Sequence, residues 1–204
     1  MIIGISGKAG SGKNTICDMI IYLLYCEKYN IEPTIKHFKE SIEESYKLER
    51  GTGWSIMSFA NRLKECVGSL SDYEIDLNEG QGKNSLVSWL EINGRHPSYR
   101  ELLQWFGTTI RQNICDDFWI QALFSTVGED ENILISDVRF ENEVESIKNR
   151  NGIVIRVNRN NSGAGNHISE IDLDDYPFDH IIDNNGSLED LLFKVKHLLI
   201  ELLW

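Results

Sequence analysis

Apolar residues fall along this chain in two alternating rhythms. Short apolar runs at Ile2–Ser6, Ser55–Phe59, Asn132–Ser136, Ile153–Val157 and His180–Ile182 have the length and composition of strands. Between them, apolar positions recur every three or four residues. That spacing predicts helices over Asn14–Tyr29, Asn61–Leu70, Tyr99–Asn113, Phe118–Val127, Glu141–Asn149 and Ser187–Leu203. In the last helix Leu188, Leu191, Leu192, Val195, Leu198, Leu199 and Leu202 make the apolar side, with Ser187 and Asp190 as an N-terminal capping pair. Strands alternating with helices predict an α/β fold in three layers, a five-stranded parallel sheet covered by helices on both faces.

Two stretches break the alternation. Glu32–Gly53 carries Lys36, Lys39, Lys47 and Arg50 among several acids and reads as a solvated surface excursion. Asp72–His96 reads as polar connection around a short apolar segment at Leu86–Leu90. No internal repeat or low-complexity tract interrupts the pattern.

With 204 residues the chain can bury a full core and fits a single domain with one insertion. A formal net charge of −12 and a pI near 4.8 argue against a nucleic-acid polymer or an anionic membrane as partner, because either needs a basic surface field. Cys17, Cys26, Cys66 and Cys115 are widely spaced, form no C-x-x-C pair, and read as reduced thiols filling the core. No signal peptide or membrane span is apparent, so the expected location is cytoplasmic.

Where the first strand meets the first helix stand Gly7, Lys8, Ala9, Gly10, Ser11, Gly12, Lys13, Asn14 and Thr15, the G-x-x-x-x-G-K pattern of a phosphate-binding loop. Glycines let successive backbone N–H groups face an oxyanion, the helix N-terminus adds positive potential, and Lys13 reaches the β- and γ-phosphates of a nucleotide. The pattern normally continues with Ser or Thr as a magnesium ligand. Asn14 stands there instead, which leaves the metal to phosphates and water.

A second cluster follows the strand at Asn132, which runs into Asp137 and then Arg139. In open parallel sheets the ligand lies beyond the carboxyl ends of the strands. Asp137 is thereby placed to hold magnesium through water, and Arg139 to reach a phosphate. On the helix from Tyr99, Leu102, Leu103, Phe106 and Ile110 share a face. Arg100 and Arg111, eleven residues apart, return to one side if Gly107 does not interrupt the helix.

These blocks carry a likeness. Gly7 to Thr15, Phe59 to Lys64, Arg100 to Gln104 with Gly107, Thr108 and Arg111, Ile135 to Phe140 with Asn142 and Glu143, His167 to Glu170, and Ile182 to Gly186 resemble, in that order, the deoxynucleoside monophosphate kinases of bacteriophages. The resemblance runs over nearly the whole chain and implies the nucleoside monophosphate kinase branch of the P-loop fold, in which Asn14 is tolerated. Asn61 and Arg62 depart from it, standing where an Asp and a Pro or Lys are expected, and Glu32–Gly53 matches no part of it.

The resemblance implies a core formed by residues 1–60 and 128–204, a helical acceptor-binding region over about residues 61–127, and a lid-bearing connection over about residues 158–179. It also implies the reaction: phosphoryl transfer from ATP, with magnesium, to a deoxynucleoside monophosphate. An acceptor phosphate is already ionised at neutral pH, so no catalytic base is needed. The implied catalytic residues are Lys13, Arg100, Arg111, Asp137 and Arg139. Residues 7–15 and Arg159 serve ATP; Lys64, Arg100, Gln104, Arg111 and Arg139 serve the acceptor; Asp137 serves the metal through water. His167 is expected to order its loop through Ser169 or Glu170, with a nucleotide contact as the alternative, and Trp54, Tyr99, Trp105 and Phe106 are expected in the core, with stacking on an acceptor base as the alternative. Two other readings stay open: a kinase for another small acceptor such as dephospho-CoA, and a P-loop protein using ATP as a switch. The choice of base is not legible, and a homodimer is neither demanded nor excluded.

Overall fold

The computed structural model describes residues 1–71, 75–78, 80–128, 130–160 and 171–203. Five strands, β1 (Ile2–Ser6), β2 (Trp54–Met57), β3 (Asn132–Val138), β4 (Ile153–Asn158) and β5 (His180–Asp183), pair in the order β2-β3-β1-β4-β5, all parallel. Each lies within two residues of its expected position. β1 is central and fully buried, which is why it reads as an unbroken apolar run rather than an alternating one.

The described helices are α1 (Lys13–Lys28), α2 (Ile35–Ile42), α3 (Ser45–Thr52), α4 (Asn61–Gly68), α5 (Gly80–Asn84), α6 (Tyr99–Asn113), α7 (Phe118–Phe124), α8 (Glu141–Lys148) and α9 (Leu188–Leu203). Ile3 and Ile5 face one side of the sheet and join Ile16, Ile20 and Leu23 of α1 and Leu191, Val195 and Leu199 of α9 in the main core. Gly4 faces the other side, where Ile147 of α8 packs so closely that a Cβ would meet its Cδ1 at 2.6 Å. The sheet is therefore covered on both faces. Ser187 caps α9 as expected, its Oγ accepting from Asp190 N at 3.1 Å while Asp190 Oδ2 accepts from Ser187 N at 3.0 Å.

Glu32–Gly53 is not the solvated excursion that its charge suggests. It folds as α2 and α3, capped at Thr34, whose Oγ1 accepts from His37 N. Phe38 and Leu48 anchor the pair in the main core, and Tyr22 of α1 accepts a hydrogen bond from Thr34 N. One apolar anchor per short helix outweighs a charged outer face because the anchor is buried and the charges stay in water.

The chain divides into two compact units, residues 1–58 with 128–204, and residues 59–127. The second contains α4 to α7 around its own core of Leu63, Val67, Leu77, Val87, Tyr99, Leu102, Leu103 and Trp119. α6 passes through Gly107 without interruption, and a capping box of Ser98 and Glu101 starts it. Asp72–His96 contains the short α5 and two isolated antiparallel bridges, Leu86 with Ser98 and Ile92 with Arg95. All four cysteines are free, but only Cys17 and Cys26 fill the core. Cys66 is exposed on the outer side of α4, and Cys115 is half-buried in the connection between α6 and α7. Among the described residues no helix is long and apolar enough to cross a membrane.

One half-buried carboxyl in the first unit is testable. Asp18 of α1 lines a small cavity with Phe38, Leu48, Glu49 and Ile56. Burial, and then the charge of Glu49, pushes its carboxyl up to about 6. The folded state thus holds a proton that the unfolded chain releases near pH 4, so ionised Asp18 costs stability above pH 6, and that cost fades as pH falls toward 4. Asp18→Asn is expected to raise the melting midpoint at pH 7.5 by about 5 °C and to change it little at pH 4.5. Equal shifts at both pH values would contradict this account.

Candidate active site

The phosphate loop takes its shape from its glycines. Gly7 has φ 153°, and a Cβ there would meet Ser11 Oγ and Val157 O, each at 2.6 Å; Gly12, the residue before α1, has φ 100°. Both conformations strain any L side chain. Ser11 N–H donates to Lys8 O at 3.1 Å, and Asn184 Nδ2 donates to Ser11 O at 2.8 Å. The Ser11 hydroxyl is the one fully buried side-chain polar atom without a hydrogen-bond partner among the described residues. Ser11 therefore serves the loop's shape through its backbone.

Lys13 opens α1 and is 9% exposed. Its ammonium donates to Gly7 O at 2.6 Å and Lys8 O at 2.9 Å, which holds it over the loop. Asn14 is exposed and Thr15 half-buried. Arg159, just past β4, approaches the loop from the side, its Nη1 lying 3.4 Å from Gly10 O. Lys8, Lys13 and Arg159 thus give an acidic chain a local positive site, as an anionic ligand requires.

Asp137 lies next to last in β3, which pairs with β1 through Ser6 and Val138. Its Oδ2 accepts from Ser58 Oγ at 2.6 Å. Burial pushes the Cys17 thiol up, the carboxylates of Asp18 and Asp137 raise it further, and the Lys13 ammonium draws it down. Asp137 and Lys13 therefore both act on the first turns of α1. Arg139 follows at the turn into α8, where Glu143 Oε2 accepts from Arg139 N at 2.7 Å and Phe140 N at 3.1 Å. This cap, worth about 1 kcal/mol in such settings, orders the turn that carries Asp137 and Arg139.

The donor chemistry suits magnesium. The ion favours one or two carboxylates with phosphate oxygens and water, and among the described residues no three His, Cys, Asp or Glu converge as an all-protein cage. Asp137, at the end of β3, could hold such an ion through water.

In the second unit, Arg100, Gln104 and Arg111 fall within about 40° of one another around α6. Arg100 Nε donates to Asn84 Oδ1 at 3.1 Å, and Arg111, its side chain 15% exposed, pairs with Asp116 at 2.8 Å. Lys64 on α4 donates to Asn78 Oδ1 at 3.1 Å. Of the aromatic residues expected in the core, Trp54 and Tyr99 are buried, whereas Trp105 and Phe106 are 39% and 37% exposed. Phe106 shares the face of α6 that carries Leu102 and Leu103, and Trp105 stands beside that face, but neither joins the core of this unit, which Tyr99 and Trp119 fill. His167, Ser169 and Glu170 lie outside the described residues.

Ser58, Arg156, Asp174 and Asn184 were not marked by sequence reasoning: Ser58 touches Asp137, Asp174 and Asn184 touch the loop, and Arg156 touches Ser6 just before the loop and Asp174 beside it. Asn184 had a signal, since it sits in the Ile182 to Gly186 block; the others join the site only through strand register and chain returns.

Comparison with known proteins agrees with this geometry. The family described as deoxynucleotide monophosphate kinase matches residues 70–195. A protein of Acanthamoeba polyphaga mimivirus, named provisionally as a deoxynucleotide monophosphate kinase, is 25% identical over 96% of this chain and 94% of its own length. The deoxynucleotide monophosphate kinase of Escherichia phage RB69 is 31% identical over 50% of this chain and 45% of its own. Because the family match spans well over half of a chain that also has the parallel sheet and loop of a P-loop kinase, the protein belongs to the deoxynucleotide monophosphate kinase family and is a phosphotransferase.

Proposed function

We propose that this enzyme transfers the γ-phosphoryl group of ATP, with magnesium, to deoxynucleoside 5′-monophosphates, producing diphosphates for DNA synthesis in the cytoplasm. The observation that carries this reading is the loop of residues 7–15 with the Lys13 ammonium held over it by two carbonyls. Positioning and charge neutralisation supply the rate, since the acceptor oxygen is already ionised. Loop amides and Lys13 bind the donor phosphates, Arg159 adds charge beside Gly10, and Arg139 serves the phosphate in transit. A bound magnesium would supply further charge neutralisation to the donor. Asp137, steadied by Ser58, would hold it through water. Arg100, Gln104 and Arg111, supported by Lys64, bind the acceptor.

Purified protein given ATP, magnesium and each deoxynucleoside monophosphate in turn, with dephospho-CoA as a further acceptor, tests the proposal. At least one deoxynucleoside diphosphate is expected to form. Turnover of dephospho-CoA alone would overturn the substrate assignment.

The two sides are separable by mutation. Arg100→Ala or Arg111→Ala is expected to weaken monophosphate binding about ten- to hundredfold, the loss of a charge-assisted contact. ATP binding should stay within about twofold. Calorimetric losses of equal size for both nucleotides would contradict the division.

A further inference from the structure

The donor loop is tied into a chain of polar contacts that the transfer reaction does not itself use. Arg156 of β4 is 9% exposed, an uncommon place for a guanidinium. Its Nη1 donates to Ser6 Oγ at 3.2 Å, its Nε to Asn158 Oδ1 at 3.4 Å and its Nη2 to Asp174 Oδ1 at 3.1 Å, and its Cζ lies 5.5 Å from the centre of the Phe178 ring. The other carboxylate oxygen of Asp174 accepts from Lys8 Nζ at 2.7 Å. Asp174 thus bridges a buried arginine and a loop lysine.

The consequence lies in where the chain ends. Ser6 immediately precedes Gly7, and Lys8 immediately follows it. The carbonyls of Gly7 and Lys8 are the two that receive the Lys13 ammonium. Arg156 holds Ser6, the last residue before the loop, and Asp174, through Lys8, holds the loop itself. Asp172 pins the same segment from a second direction, its Oδ2 accepting from Glu141 N at the start of α8 at 3.2 Å.

We propose that Arg156 and Asp174 are positioning residues for the phosphate loop, fixing the two carbonyls that aim Lys13 and so setting affinity for the donor nucleotide. A charged group held by partners on both sides keeps the geometry that its neighbour needs, whereas one link removed lets the whole chain relax. The inference rests on the reading of this loop as the ATP site.

The test is a double-mutant cycle on Lys8→Met and Asp174→Asn, with Arg156→Lys as an independent third variant that keeps charge but loses the fork. ATP binding is measured by calorimetry without acceptor, and KM for each substrate is measured in the steady state. Each single variant is expected to weaken ATP binding about tenfold, and the double variant no more than the weaker single one, because both break one chain. KM for the monophosphate is expected to stay within about twofold. Unchanged ATP affinity, losses that multiply in the double variant, or equal losses for both substrates would overturn the proposal. Should Asp174→Asn fail to fold, Lys8→Met and Arg156→Lys decide it by the same selectivity for ATP. Wild-type protein that binds no ATP would instead refute the reading of the loop; wild-type binding that is indifferent to these substitutions would refute only the positioning role.

Discussion

Lys13→Ala is expected to lower phosphoryl transfer roughly 10²- to 10³-fold, the scale lost when one preorganised donor is taken from a developing negative charge. The ammonium also bonds to the carbonyls of Gly7 and Lys8, so its loss removes a loop contact as well as a catalytic charge. Lys13 lies over the loop and not in the main core cluster, so the sheet and its packing should survive. Circular dichroism and the melting transition are therefore expected to stay near wild type while turnover collapses. A folded variant that keeps near wild-type turnover would remove the loop from the reaction.

Asp137→Asn is the second large effect. The substitution keeps the shape of the side chain and leaves an oxygen to accept from Ser58, so position is preserved while charge is lost. Asn14 offers no hydroxyl to the metal, which throws more weight on the nearest carboxylate. A fall in rate of about 10- to 100-fold is expected, together with a raised magnesium requirement. Metal-free ATP should bind about as well as before, since the lost charge acts on the metal and not on the phosphates. Superimposable curves of rate against free magnesium for the two proteins would make Asp137 a structural residue only.

How much of this was legible in the sequence depended on whether a feature is local. The phosphate loop, β1 and α1 are contiguous, and strand period, glycines and lysine all point the same way, so this strand-loop-helix unit was readable. α6 was located from end to end because Leu102, Leu103, Phe106 and Ile110 recur at helical spacing within one local window. The helices α2 and α3 were not, because each buries one anchor among charges, and what holds them is Tyr22 and the core of α1, which no local window contains. Arg156 and Asp174 were hidden for a related reason. Arg156 meets Ser6 across 150 residues of chain through the register of β1 with β4, and Asp174 meets Lys8 across 166 through the chain's return between β4 and β5. An arginine inside a β-branched run looks like an interruption until the strand beside it is known.

The most direct measurement of the central claim is the product balance of the reaction, followed by phosphorus NMR with ATP, magnesium and a turned-over deoxynucleoside monophosphate. The account predicts one deoxynucleoside diphosphate for each ADP, almost no inorganic phosphate, and negligible ADP when the acceptor is withheld. ADP and inorganic phosphate accumulating at the same rate with or without the acceptor would mean that the loop serves ATP hydrolysis, and would contradict the assignment of phosphoryl transfer to a nucleotide.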